Sequence, residues 1–338
     1  MKTDPLDPKP QEREPVHDRT LRPLSLTEFI GQEHLKENLG ILIGAAKKRG
    51  EPLEHLLFYG PPGLGKTTLA HLLTAETGAD MITTSGPALE RPSEMVGLLT
   101  SLQPRGILFV DEIHRIPRAV EEYLYSAMED FRLDILLDRG PAAKSVQLEL
   151  APFTLIGATT RVGLLTSPLR GRFGFIAHLD FYPVDDLRLL LRRSAAIMGV
   201  DLDSDGEMEI ARRSRGTPRI ANRLLRRVRD YADVKEHPVL NKDVAGKALA
   251  LLRIDDRGLH EMDRRLLDAL VTKFGGGPVG LGTLAAVLGE EEDTVEDLLE
   301  PFLIQQGFID RTRRGRTATP RAYEVLGLDP GQAQERLL

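Results

Sequence analysis

Two patterns of apolar residues alternate through the first half of the chain. Short unbroken runs, His55-Leu56-Leu57-Phe58-Tyr59, Ile107-Leu108-Phe109-Val110 and Phe153-Thr154-Leu155-Ile156-Gly157-Ala158, read as strands buried on both faces, as in a parallel sheet. Between them apolar positions recur every three to four residues. The stretch 32–48, with Leu35, Leu39, Leu42 and Ile43 on one face, predicts a helix that covers a sheet edge or packs against a nucleotide base. Thr27 is placed to cap a short helix ahead of it. Further helices are expected over 68–75, 94–102 and 117–128, a strand over 80–84 and a loop over 86–93. Residues 134–150 hold two β-like runs around Arg139-Gly140-Pro141 and predict a protruding hairpin.

From residue 185 the pattern is entirely helical. Gly216-Thr217-Pro218-Arg219 opens one helix, with Thr217 as cap and Pro218 at the first helical position. Its apolar face is Ile220, Leu224, Leu225 and Val228, which leaves most arginines of the segment on the solvated or interface side. The organisation changes again near residue 257. An amphipathic stretch over 262–274 ends at Gly275-Gly276-Gly277-Pro278, and helices follow over 281–288 and 294–306. Phe308-Ile309-Asp310-Arg311 and Arg316-Thr317-Ala318-Thr319 read as strands joined by Thr312-Arg313-Arg314-Gly315. Three helices and a basic hairpin form a winged helix-turn-helix, used either to grip nucleic-acid phosphates or to bind protein.

Composition narrows the possibilities. The 338 residues suggest two or three domains, and 41% hydrophobic content suffices for real cores. The absence of a membrane-length apolar run and of a signal peptide points to a soluble, cytosolic protein. With no cysteine, disulfides, zinc fingers and cysteine nucleophiles are excluded. The 8 histidines are scattered, which argues against a histidine metal site. Asp201-Leu202-Asp203-Ser204-Asp205-Gly206 begins like a calcium loop, but Arg212 stands where the bidentate acid belongs, so the acids read as a helix N-terminus. Residues 1–18, Pro-rich and charged, are expected to be a disordered arm. The net charge of −6 hides basic clusters around 212–229 and 311–321. Local clusters matter more than the sum, because screening limits each charge to about 8–10 Å.

One stretch organises the rest. Gly60-Pro61-Pro62-Gly63-Leu64-Gly65-Lys66-Thr67 fits G-x-x-x-x-G-K-[ST] between an expected strand and an expected helix. Its glycines let backbone N–H groups face a phosphate, Lys66 reaches the β- and γ-phosphates, and the Thr67 hydroxyl completes a Mg²⁺ shell. Asp111 and Glu112 stand at the carboxyl end of an apolar run. Acids there are ambiguous alone, since they also suit a helix N-terminus. Downstream of a phosphate loop they read as a water-mediated Mg²⁺ ligand and a residue polarising an attacking water. Thr159-Thr160 ends the next strand, as a water-orienting group or as a simple cap. Arg170 and Arg172 follow in a turn after what reads as the last core strand, as a trans-acting arginine finger or as surface charge.

The phosphate loop, Val110-Asp111-Glu112-Ile113-His114-Arg115, Gly157-Ala158-Thr159-Thr160-Arg161, the run 216–227 and Ile304-Gln305-Gln306-Gly307-Phe308 together resemble the RuvB family of bacterial Holliday-junction branch-migration motors, over about 21–328. The resemblance implies an α/β P-loop AAA+ ATPase core with a parallel sheet flanked by helices (19–182), an all-α lid (183–254) and a C-terminal winged-helix head (255–338). It also implies a homo-hexameric ring on double-stranded and Holliday-junction DNA, with RuvA at the junction and RuvC resolving it, and with ATP and Mg²⁺ as cofactors. By the same resemblance, Gly63, Gly65, Lys66, Thr67 and Thr68 hold nucleotide, and Thr67 and Asp111 serve the metal. Asp111 and Glu112 are the Walker B pair, Thr160 rather than Thr159 is the first sensor, Arg172 is the finger, and Arg219 is the second sensor. Leu21, Arg22 and Tyr182 border adenine. Glu129, Asp130 and Phe131 lie near the nucleotide or the subunit interface, the 134–150 hairpin docks RuvA, and Arg311 and Arg316 touch DNA phosphates. Two departures stand out: Glu292, where an arginine is common, removes one phosphate contact, and Gly171 loosens the finger loop. Competing readings are another AAA+ machine, such as a clamp loader or initiator, and a nucleotide-gated winged-helix regulator that reads base edges. The 5% aromatic content and lack of tryptophan argue against single-strand stacking.

Overall fold

The computed structural model describes residues 20–136 and 145–329. The proposed arm (1–18) and the hairpin tip at Arg139-Gly140-Pro141 lie outside them. The described residues fall into two compact units, one ending at Tyr182 and the other beginning at Pro183.

In the first unit, α1 (Glu33–Arg49) precedes β1 (Leu56–Tyr59), and α2 (Lys66–Thr77) follows directly on the glycine-rich loop. Then come β2 (Met81–Ser85), α3 (Pro92–Ser101), β3 (Ile107–Asp111) and α4 (Arg118–Asp130). The hairpin β4 (Arg132–Leu136) and β5 (Ser145–Glu149) is followed by β6 (Thr154–Thr159), the single turn α5 (Ser167–Arg170) and β7 (Phe175–His178). The main sheet has the order β2-β3-β6-β1-β7 with every neighbour parallel. Phe58, Phe109 and Ile156 at its centre are fully buried, as the unbroken apolar runs require.

Three local expectations change. Around Thr27 the chain makes turns, with Glu28 N–H on Ser25 and Phe29 N–H on Leu26, rather than a helix. The loop expected over 86–93 contains a 3₁₀ turn at Gly86–Ala88 and the start of α3. β6 is not the last strand of the sheet. β7 follows at its edge; its apolar run is only Phe175-Ile176-Ala177, and of these only Ala177 is buried.

His55 ties the unit together at the foot of β1. Its Nε2 lies 3.0 Å from the Met128 carbonyl at the end of α4, and its Nδ1 accepts the Leu155 N–H of β6 at 2.9 Å. The neutral ring with its proton on Nε2 satisfies both contacts. A second proton would point Nδ1–H at another N–H. Burial accordingly holds the His55 pKa below its ordinary 6.5.

The second unit starts with four helices, α6 (Val184–Met198), α7 (Ser204–Arg213), α8 (Pro218–Val234) and α9 (Lys242–Leu251). Asp203 caps α7 by accepting the Gly206 N–H, so the acids of the calcium-like stretch open a helix. Among the described residues no cluster of three metal-ligating side chains occurs. Thr217 stands at the N-cap of α8, yet its hydroxyl turns back to the Arg215 carbonyl and makes no cap bond. The head follows with α10 (Glu261–Asp268) and its π-turn continuation Ala269–Lys273, α11 (Leu281–Leu288), and a helical stretch through Glu292–Thr294, Val295–Leu299 and Glu300–Gln305. The hairpin β8 (Ile309–Thr312) and β9 (Gly315–Ala318) and then α12 (Pro320–Leu326) complete it. The sequence pattern does not anticipate α12.

Two arginines of the cluster are not on a solvated face. Arg213 and Arg215 are buried. Arg213 pairs with Glu209 and donates to the Ile254 carbonyl at 3.1 Å. Arg215 pairs with Asp263 at the start of α10, donates to the Gly258 carbonyl at 3.0 Å and stacks 4.5 Å from the Phe302 ring centre. The helical part and the head of this unit are thus joined by buried charge.

The His55 geometry carries a pH prediction. Because the folded pKa is depressed, the unfolded chain takes up the proton first on acidification. Stability that is complete above about 6.5 is lost as pH falls below it, down to the folded pKa. The urea midpoint of the first unit should fall between pH 7.5 and 5.5, and His55→Asn should flatten that dependence. A wild-type midpoint that does not move would refute it.

Candidate active site

The sheet register brings three loops to one edge. Tyr59 pairs with Thr159, Val110 with Gly157 and Ser85 with Asp111, so β1, β6 and β3 end side by side. The glycine-rich loop, Thr159-Thr160 and Asp111-Glu112 therefore emerge together at the carboxyl ends of parallel strands, where open α/β sheets bind ligands. Gly60 N–H donates to the Thr159 carbonyl at 3.2 Å, which fixes the start of the loop against β6.

The loop is shaped for close approach of a ligand to backbone. Gly60, Gly63 and Gly65 adopt φ of 140°, 81° and 106°, a region costly for residues with a side chain. At position 60 a Cβ would lie 2.5 Å from the Leu179 carbonyl oxygen, and at position 65 it would meet the Phe29 ring at 3.2 Å. Lys66 opens α2 and is buried; its ammonium donates to the Gly60 and Pro61 carbonyls at 2.7 and 2.9 Å. Thr67 and Thr68 occupy the partly exposed first turn. Leu21 and Tyr182, from opposite ends of the unit, are both buried, and Arg22 is half-buried. The Tyr182 hydroxyl donates to the Leu64 carbonyl of the loop at 3.4 Å.

Glu112 adopts a left-handed conformation, φ 47°, immediately after β3. Its N–H donates to the Asp111 carboxylate at 3.0 Å. Its own carboxylate accepts the Thr160 hydroxyl at 3.3 Å and lies 3.2 Å from His114 Nδ1. That same nitrogen is 2.8 Å from the Thr159 hydroxyl. Thr160 touches Glu112 directly and Thr159 reaches it through His114. In the sequence His114 stands only as one residue of a motif; two polar side chains converging on one imidazole are a tertiary feature.

Arg172 lies against α4 in this same unit. It forms an ion pair with Glu129 at 3.0 Å, and Glu129 and Asp130 are exposed. Phe131 turns the other way, its ring packed edge-on against Phe153 at 5.8 Å. Gly171 has a right-handed conformation, φ −67°, and a Cβ there would meet nothing nearer than 3.4 Å. The backbone at 171 thus needs no glycine, and its N–H is bonded to Ser167.

In the second unit, Arg219 sits in the first turn of α8 and is half-buried. The wing is β8–β9, where Arg311 and Arg316 face each other across the strands. They differ in environment. Arg311 is exposed and pairs with Glu296 at 2.7 Å. Arg316 is buried, with Nε and Nη2 committed to Glu300 at 2.5 and 3.0 Å. Arg313 and Arg314 are exposed at the turn. The two arginines named for phosphate contact thus differ: Glu300 and burial leave Arg316 the less available of the two. Glu292 opens the helical stretch behind the wing, its carboxylate filling the space where Gly282 would carry a side chain.

Comparison with known proteins agrees with this architecture along most of the chain. Residues 21–179 match the Holliday junction DNA helicase RuvB P-loop domain, residues 182–255 the RuvB AAA lid domain, and residues 256–327 the RuvB C-terminal winged helix domain. Among solved structures, the Thermotoga maritima RuvB Holliday junction branch migration motor is 50% identical, with 92% of this chain and 99% of that one covered at a TM-score of 0.85. An arginine-to-alanine variant of the T. maritima protein aligns with 50% identity over 91% of this chain and 99% of its own, also at 0.85. With its five-stranded parallel sheet, phosphate loop, lid and winged head, the chain is a P-loop ATPase belonging to the RuvB family.

Proposed function

We propose that this protein is the ATP-driven motor of Holliday-junction branch migration in recombination and DNA repair, working in the cytoplasm as a homo-hexameric ring with RuvA at the junction and RuvC as resolving partner. The observation that carries the reading is the convergence of the phosphate loop, Asp111-Glu112 and Thr159-Thr160 on one sheet edge, in a chain that also bears a winged head. We divide the chain into a core (19–182), a lid (183–254) and a head (255–338).

The residues fit ATP with Mg²⁺. The loop turns through glycines at 60, 63 and 65 with positive φ, and Thr67 and Asp111 supply the oxygen donors that Mg²⁺ prefers. The ion, when bound, neutralises charge on the phosphate oxygens. Gly63, Gly65, Lys66, Thr67 and Thr68 bind the phosphates, with Lys66 exchanging the Gly60 and Pro61 carbonyls for phosphate oxygens. Leu21, Arg22 and Tyr182 border the adenine. Glu112 orients the attacking water and takes its proton, and Thr160 holds the Glu112 carboxylate in place. Arg172 acts on the nucleotide of a neighbouring copy, Asp130 and Phe131 lie beside that interface, and Arg219 senses nucleotide from the lid. The hairpin of β4 and β5 docks RuvA. Arg311 grips DNA phosphate from the exposed wing; Arg316 contributes through the part of its guanidinium that Glu300 leaves available, and holds the wing in shape.

The deciding experiment is ATP-dependent dissociation of a synthetic four-way junction, with and without RuvA. Dissociation that requires ATP and RuvA, and is abolished by Lys66→Ala, is the expected outcome. Hydrolysis without junction movement would assign the chain to another class of AAA+ machine, and full ATPase in Lys66→Ala would overturn the site itself.

The two wing arginines should separate in a salt titration of duplex binding followed by anisotropy. Arg311→Ala should lower affinity for all sequences alike and reduce the slope of log K against log salt by about 1, with thermal stability unchanged. Arg316→Ala should in addition destabilise the head by about 3–5 kcal/mol, because it strands the buried Glu300 carboxylate. Equal stability of the two variants would show that the Glu300 pair does not support the wing.

A further inference from the structure

Arg172 is held by one face of α4. Glu121, Tyr125 and Glu129 succeed one another at four-residue intervals and so lie along a single stripe of that helix. The Arg172 guanidinium stacks on the Tyr125 ring, its carbon 4.5 Å from the ring centre. Nε donates to the Tyr125 carbonyl at 3.3 Å, Nη1 to the Pro168 carbonyl at 2.8 Å, and Nη2 meets the Glu129 carboxylate at 3.0 Å. A guanidinium carries five N–H donors in a fixed plane. Three go to these acceptors, which leaves one on each terminal nitrogen.

The mount is itself anchored. The Tyr125 hydroxyl donates to the buried Glu121 carboxylate at 2.6 Å, and burial together with that bond raises the Tyr125 pKa, so the phenol stays protonated as a donor. Glu121 also accepts the Thr166 hydroxyl. Thr166 is the N-cap of α5, the turn that leads to Arg172, and accepts the Leu169 N–H at 3.3 Å. One connected set of bonds therefore fixes both the start of the arginine-bearing turn and the plane of the guanidinium.

We propose that Tyr125 and Glu129 are positioning residues for Arg172: the aromatic face and the carboxylate hold the guanidinium so that its two remaining N–H groups are presented to the phosphoryl oxygens of a nucleotide bound by a second copy of the chain. The proposal rests on the reading of Arg172 as a finger acting in trans. A bidentate presentation of this kind loses value quickly with misorientation, because the donors are rigidly coupled to one plane.

The test uses the full-length protein on duplex DNA, reading kcat, KM, affinity for a fluorescent ADP analogue and the thermal midpoint. Glu129→Ala and Tyr125→Leu should each lower kcat about tenfold with KM and ADP affinity unchanged. Glu129→Gln, which keeps an acceptor oxygen, should recover most of its loss; Tyr125→Phe, which keeps the stacking ring but loses the hydroxyl anchored to Glu121, should recover part of its loss. Combined with Arg172→Ala, neither substitution should slow turnover further, since both act through that side chain. Glu129 is exposed, so its variants test the idea even if Tyr125→Leu fails to fold. Wild-type kcat in Glu129→Ala, or losses that add to that of Arg172→Ala, would overturn the positioning role while leaving the finger intact. Full turnover by Arg172→Ala alone would instead overturn the finger reading on which the proposal stands.

Discussion

The parallel register of β1, β6 and β3 is the constraint on which the site depends. Strand ends that share an edge hand their loops to a common space, and a shift of one residue would turn every strand side chain to the opposite face. The register is secured from both ends. At the foot, His55 bonds β6 and the end of α4 simultaneously; at the top, Gly60 N–H reaches the Thr159 carbonyl while the Leu179 carbonyl occupies the place of a Cβ. The glycine-rich loop is thus as much a product of strand packing as of any ligand.

Much of this is legible in the residues because it rests on local rules. Unbroken apolar runs become central strands, the phosphate loop lies where a strand gives way to a helix, and acids at the end of Ile107–Asp111 reach the ligand edge. What the sequence hides are interactions between distant positions. Arg215 and Asp263 are 48 residues apart, and nothing in a run of arginines marks which one will be desolvated. Arg316 reads like Arg311 until Glu300 is seen to cover it. His114 and Tyr125 serve through partners on other elements, Thr159 and Glu112 in one case and Arg172 in the other. β7 escapes because its apolar run, Phe175-Ile176-Ala177, is too short to set it apart from the turn before it.

Buried charge has a structural use in the second unit. Arg213 ends α7 and Arg215 lies on the short connection to α8; Arg213 reaches the Ile254 carbonyl just ahead of the head, and Arg215 reaches Gly258 and Asp263 within it. Removing either acid partner would leave a desolvated cation, which is why such pairs resist loosening even when their net contribution to stability is small. The same connection leads within a few residues to Arg219. Arg219, proposed as the sensor of the lid, and the head's attachment are therefore neighbours in sequence.

The wing illustrates a different use of acids. Glu296 already pairs with Arg311 within the head, the arginine proposed to grip DNA. A phosphate that takes the arginine must displace a carboxylate of the same charge, so the net gain is the difference between two similar ion pairs. An exchange of that kind makes a shallow contact, quick to form and quick to break. On the proposed reading of the chain as a motor on duplex DNA, a grip built from such contacts has the merit that letting go requires no separate source of energy.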